Sequence, residues 1–138
     1  MPLLKQNLNH LNDTEIEIVF VDSDRSKKYI DGIIVLSEEE FIDKEAEKKF
    51  YNVSISKPEI RFEVVSRLAE ENLETISIFS GDTDKVFNVE FGRGSIVLPH
   101  VLFTSNISVG DFFHCNPKCT IAHDVKIGNF VTLAPGSI

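Results

Sequence analysis

The sequence predicts an α/β front followed by a parallel β-helix, and three observations carry that reading. Residues 91–138 divide without insertion into eight six-residue blocks, led by Phe91, Val97, Phe103, Val109, Cys115, Ile121, Ile127 and Leu133, every one apolar. The fifth places read Ser95, Val101, Ile107, Phe113, Cys119, Val125, Val131 and Ser137, all small or apolar. Ahead of them, strand-like and helix-like segments alternate, the pattern of an α/β layout. A period of six is neither the two of a strand nor the 3.6 of a helix; it is the sign of a coil in which each block gives a short strand and a turn. Three blocks make one triangular turn, so residues three blocks apart stack at about 4.8 Å. First and fifth places point inward. Corners fall to residues that turn easily, and Gly follows the leader in Val109-Gly110 and Ile127-Gly128.

Taken in order, Leu4, Leu8 and Leu11 share one face of a short helix, which Asn12-Asp13 ends. Glu15 to Val21 reads as a strand, with Ile16, Ile18 and Phe20 on one face. Asp22-Ser23-Asp24 is a loop, and Asp31-Gly32 turns into a strand from Ile33 to Leu36. Ser37 with Glu40 is a capping box for a helix to about Lys48. Phe50 to Ile55 is a strand. Pro58 opens a helix whose stripe is Ile60, Val64 and Leu68, with Phe62, Val65 and Ala69 alongside. Thr75 to Phe79 is the next strand. Residues 82–90 are transitional, because counting back in sixes turns Lys85 inward. The expected domains are therefore 1–81, an incomplete Rossmann-like part, and 82–138, a partial β-helix. A Rossmann-type domain opens with a strand, a Gly-rich turn and a helix that holds phosphate. No such turn is present, and the chain reads as clipped at both ends.

The formal net charge is −8, with +1 on residues 91–138 and hence −9 on the first 90. An acidic surface without basic clusters argues against nucleic acid, which is bound by neutralising phosphates. No apolar run spans a membrane and no signal peptide opens the chain, so a cytoplasmic protein is expected.

The candidate for chemistry is His123, on an outward third place, with Asp124 beside it. A histidine on a rigid strand serves as a general base, since imidazole titrates near neutrality; the alternative is a solvated His next to a solvated Asp. Counting in eighteens puts His100, His114 and His123 on different parts of the prism, so no metal site is expected within one chain, given the three or four converging ligands zinc needs. Asn116 sits near a corner, as a site residue or as a turn amide satisfying the backbone. Cys115 and Cys119 take inward places as apolar filler.

The runs Phe113-His114-Cys115-Asn116, Ala122-His123-Asp124 and Ile127 to Gly136 resemble the hexapeptide-repeat acyltransferases. The likeness is nearest to the sialic acid O-acetyltransferase type and to relatives that N-acetylate nucleotide-linked amino sugars. In the front it rests on Phe20-Val21-Asp22 and Pro58-Glu59-Ile60-Arg61. The resemblance implies a left-handed β-helix behind a Rossmann-like sugar-binding part, a homotrimer, and acetyl-CoA in the groove between neighbouring coils. It implies that His123 deprotonates a sugar or nucleotide-sugar acceptor with Asp124 in support. Asn116 then lies near the acceptor, Asp22 contacts the nucleotide, and Thr132, Ala134 and Gly136 border acetyl-CoA. Thr132 stands where the N-acetyltransferases often carry a second His, which tilts the expectation to a sugar hydroxyl. N-acetylation, a non-catalytic scaffold of the same fold and a zinc lyase or hydrase are the rival readings.

Overall fold

The computed structural model describes residues 16–24 and 26–138, so the helix expected over 1–11 lies outside the described residues. Two compact units divide the chain between Lys48 and Lys49. In the first, β1 (Phe20–Val21), β2 (Tyr29–Ile30) and β3 (Ile33–Leu36) form a sheet in the order β1-β3-β2, with β1 parallel and β2 antiparallel to β3. Asp31 and Gly32 both have positive φ (49° and 78°), the geometry that closes a two-residue hairpin. The capping box forms: Glu40 N donates to Ser37 Oγ at 3.1 Å, and Ser37 N donates to Glu40 Oε2 at 2.7 Å. Helix α1 (Glu38–Asp43) ends before Lys48 because Lys44 is extended, and no basic residue in the last turn favours continuation. Of the strand expected over 15–21, Glu15 lies outside the described residues, and from Ile16 on only Phe20–Val21 is strand.

The second unit opens with a strand–helix–strand crossover. β4 (Phe50–Tyr51) and β5 (Glu74–Thr75) pair in parallel on either side of α2 (Pro58–Leu68). The buried face of α2 is Arg61, Val65 and Leu68. Of the expected Ile60/Val64/Leu68 stripe with Phe62, Val65 and Ala69 alongside, Leu68 and Val65 are buried and Val64 is half-buried; Ile60 (41%), Phe62 (55%) and Ala69 are exposed instead, while Arg61 is fully buried. A guanidinium supplied with enough acceptors takes the place on that face expected for Ile60.

The coil runs through β6 (Ile78–Phe79), β7 (Asp84–Phe91), β8 (Ile96–Val97), β9 (Leu102–Val109), β10 (His114–Cys115), β11 (Thr120–Ile121), β12 (Lys126–Ile127) and β13 (Thr132–Leu133). All its pairings are parallel and join residues 18 apart, such as Ile78↔Ile96, Asp84↔Leu102 and His114↔Thr132. The inward places form the core: Val97, Val101, Phe103, Ile107, Val109, Phe113, Cys115, Cys119 and Ile121. The register also reaches further back than the sequence suggested. Lys85 pairs with Phe103, and its Nζ lies 4.3 Å from the Phe79 ring centroid and 4.9 Å from that of Phe91. Its charge thus rests on the faces of two aromatic rings.

The corners differ from expectation. Positive φ falls on the fourth place of nine successive blocks: Asn88, Gly94, His100, Asn106, Phe112, Lys118, Asp124, Phe130 and Gly136. The second-place glycines serve close approach instead. A Cβ on Gly110 would meet Asn129 Oδ1 and would stand 2.7 Å from backbone atoms of Gly128 and Asn129; a Cβ on Gly128 meets nothing. Asn129 Oδ1 needs that space to accept from Asp111 N at 2.8 Å.

Gly110→Ala should therefore lower unfolding stability by about 1–3 kcal/mol through overpacking, while Gly128→Ala should change it by less than about 0.5 kcal/mol. Urea titration of both variants checks this; equal effects would contradict the close-approach account.

Candidate active site

His123 stands on the corner that Asp124 closes. The left-handed backbone of Asp124 (φ 61°) folds its carboxylate back to its neighbour, so that His123 Nδ1 and Asp124 Oδ2 lie 2.7 Å apart. Asp124 Oδ1 accepts from Asn106 Nδ2 at 3.1 Å. The bonds from His123 and Asn106 hold the Asp124 carboxyl below its ordinary range, so it is ionised and acts only as an acceptor. An acceptor there requires the proton on Nδ1 of His123, and in the neutral ring this leaves the lone pair on Nε2. The His123 side chain is 75% exposed. A shallow cavity of about 160 Å³ flanks this corner, lined by Asn88, Glu90, Asn106, Ser108 and Lys126.

The other sequence candidates are placed differently. Asn116 is half-buried, and its Nδ2 donates to Leu133 O at 2.7 Å, the backbone-satisfying arrangement. Asp22 belongs to the first compact unit, where its Oδ1 accepts from Asp24 N at 2.9 Å in a local turn. Thr132 is committed to α2 and the loop before it: its hydroxyl accepts from Arg61 Nη2 at 3.1 Å and donates to Ser56 O at 2.9 Å. Ala134 and Gly136 are exposed small residues. The Gly136 N–H is already bonded to Pro117 O, and Ala134 O already accepts from Cys119 Sγ and Ser137. They can offer a ligand surface and shape, not those polar groups. Among the described residues no cluster of three or more His, Cys, Asp or Glu could hold a metal ion. No helix among them is long and apolar enough to cross a membrane.

The sequence reading names Arg61 and His114 as carriers of the resemblance and misses that they meet in the interior. His114 is buried between α2 and the coil, with Nδ1 3.4 Å from Arg61 Nη1. Burial, then the adjacent guanidinium, push its pKa down to about 4 against a partial offset from the Val53 backbone. The signal available was weak: Arg61 sits at helical spacing from Val65 and Leu68, but an arginine there reads as solvated. A second cavity, of about 480 Å³, is lined by Tyr51, Leu68, Leu73, Glu74 and Arg93, none of them on the His123 face.

No family model matches the chain. It is 33% identical over 137 residues to GDP-perosamine N-acetyltransferase of Escherichia coli O157:H7, covering 99% of this chain and 62% of that protein. Its structure superposes on WeeI from Acinetobacter baumannii AYE with a TM-score of 0.91 and 35% identity, covering 99% of this chain and 63% of that one. The acetyltransferase domain of PglB from Neisseria gonorrhoeae FA1090 aligns with a TM-score of 0.78 at 23% identity, over 94% of this chain and 64% of that one. A structure of the same domain in complex with acetyl coenzyme A aligns with a TM-score of 0.76 at 22% identity, over 94% and 63%. The chain thus spans less than two thirds of the length of these proteins. Its coil is of their left-handed parallel β-helix type.

The buried His114 gives a pH signature. Its folded pKa, about 4, lies below the ordinary 6.5, so protonation favours the unfolded chain. That stability is whole above the ordinary value and is lost as pH falls toward the folded one. Relative to a His114→Gln variant, the wild type should lose about 2 kcal/mol between about pH 7 and about pH 5. Urea unfolding of both proteins at the two pH values measures this; parallel losses would contradict it.

Proposed function

We propose that this chain carries the base of an acetyl-CoA-dependent sugar acetyltransferase, and that the acceptor is the amine of a nucleotide-linked amino sugar. The observation that carries the reading is the His123–Asp124 pair on a rigid coil corner, with Nδ1–H held at 2.7 Å by an ionised carboxylate and Nε2 turned outward. Similarity at 33% identity to an N-acetyltransferase acting on GDP-perosamine supports an amine over a hydroxyl. The parallel crossover β4-α2-β5 supports a Rossmann-like front, whose part would be to hold the nucleotide sugar. A 75% exposed catalytic histidine fits a site walled by a neighbouring copy, as in a homotrimer.

In this reading the acceptor nitrogen attacks the thioester carbonyl carbon. The tetrahedral intermediate collapses, the C–S bond breaks and coenzyme A leaves as its thiolate. His123 Nε2 takes the proton that the nitrogen sheds and returns it to the thiolate, while Asp124 stabilises the imidazolium. Transfer is direct, without an acyl-enzyme: Cys115 and Cys119 are each 1% exposed, and burial, then the neighbouring Cys119, push the Cys115 thiol up, away from the nucleophilic thiolate. The second reading, a hydroxyl acceptor as in sialic acid O-acetylation, rests on Thr132 alone, which stands where the N-acetyltransferases that the sequence resembles often carry a second histidine.

His123→Ala should lower kcat/KM at least about a hundred-fold while leaving the Kd for acetyl-CoA within a few-fold. Steady-state assay and calorimetric titration measure the two. Activity within a few-fold of wild type removes His123 as the base, and absence of acetyl-CoA binding favours a non-catalytic scaffold. Side-by-side assay with amino and hydroxyl sugars decides the acceptor.

A further inference from the structure

The corner that ends in Asp124 continues backward through the coil. Asn88, Asn106 and Asp124 are each 18 residues apart and share left-handed backbone, with φ of 50°, 55° and 61°. Equal dihedrals at equal places send the three side chains the same way, one above another. Asn88 Nδ2 donates to Asn106 Oδ1 at 3.1 Å, and Asn106 Nδ2 donates to Asp124 Oδ1 at 3.1 Å. The direction of this ladder is fixed by chemistry. An ionised carboxylate only accepts, so Asn106 must present its amide nitrogen to Asp124; its oxygen then faces Asn88, which must present nitrogen in turn. The other two corner columns, Gly94–Phe112–Phe130 and His100–Lys118–Gly136, carry no such side-chain hydrogen bonds among the described residues. The polar column stands where His123 stands.

We propose that Asn106, braced by Asn88, is a positioning residue for His123: by holding Asp124 Oδ1, it aims Oδ2 at His123 Nδ1 and keeps the imidazole in the tautomer whose Nε2 is the free base. The inference rests on the reading of His123 as the base, but its geometry is testable without turnover. Imidazole exposed to water exchanges its proton between both nitrogens, and a carboxylate held in one pose biases that exchange. Asp124 is 65% exposed and has a free torsion unless its second oxygen is also held. Asn106 supplies that second hold from the preceding turn, and Asn88 fixes the Asn106 amide in the donating orientation. Outer partners of this kind orient the groups that do chemistry.

The test is ¹⁵N NMR of the full chain at a pH where imidazole is neutral, with the His123 signals assigned by their loss in His123→Gln. Asn106→Gly is the variant of choice, because glycine adopts positive φ without strain and only the amide is lost. Wild type should show His123 mainly as the Nδ1–H tautomer. Asn106→Gly should move it toward the Nε2–H form and lower kcat roughly ten-fold with KM nearly unchanged. Asn88→Gly should do the same more weakly. Lys118→Gly, at an equivalent corner outside the ladder, should alter neither readout. An unchanged tautomer in Asn106→Gly overturns the proposal, as does an equal change in Lys118→Gly. If the tautomer shifts but no variant, wild type included, transfers acetyl, the positioning stands and the acyl-transfer reading falls.

Discussion

The buried guanidinium of Arg61 ties the helix to the coil, and the geometry around it depends on that tie. Nε donates to Phe112 O at 2.9 Å, Nη1 to Ile55 O at 2.6 Å and Ser56 O at 3.3 Å, and Nη2 to Phe130 O at 2.6 Å, Val131 O at 3.4 Å and Thr132 Oγ1 at 3.1 Å. Among the described residues no carboxylate forms an ion pair with it, although the Glu59 charge favours its ionised form. Carbonyls from the loop before α2 and from two successive turns of the coil solvate the charge instead. Burying an ion costs several kcal/mol, and only a nearly complete set of acceptors offsets it. The cost makes the arrangement specific: a shift of the helix by one residue would strand both the charge and the carbonyls. Two of those carbonyls belong to Phe112 and Phe130, whose left-handed corners turn them away from the sheet, and whose rings stack 5.2 Å apart beneath Val53 and Val65.

Those corners explain why the coil is regular. Left-handed backbone costs a residue with a side chain roughly 1–2 kcal/mol, and seven of the nine positive-φ positions from Asn88 to Gly136 are not glycine. The cost is met where the side chain gains something in return. Phe112 and Phe130 are packed, Asn88, Asn106 and Asp124 are linked in a column, and Gly94 yields its Cβ to the Phe112 ring. A coil wound with equal corners keeps equal strand positions, so a side chain on one turn meets its counterpart on the next. That makes a three-residue column a predictable object, and it anchors the Asp124 carboxylate to two turns of backbone.

The coil was legible because its core follows a strict period: inward places are apolar, and a six-residue count finds Val97, Val101, Phe103, Ile107 and Val109 without any knowledge of contacts. His123 and Asp124 were legible because they are neighbours in sequence. What escaped reading depends on distance or on disguise. Arg61 looked like a surface residue, and the apolar Ile60 and Phe62 on either side drew the helix stripe away from it. The corner places escaped because the residues there, among them Lys118, His100 and Phe112, share no chemistry; only the backbone is common to them. Lys85 is a charged residue on an inward place, and only the contact of its ammonium with the Phe79 and Phe91 rings reconciles it with the register. Asn106 contributes to the His123 corner from 18 residues away and carries no local motif.

Cys115 and Cys119 are buried in one block of the prism, and Cys119 Sγ donates to Ala134 O on the next turn at 3.1 Å. While the coil is closed, neither sulfur meets solvent. A thiol reagent therefore reacts only when these turns part. The speed of alkylation under native conditions becomes a gauge of how often the coil breathes next to the His123 corner, read from two sulfurs that the protein already owns.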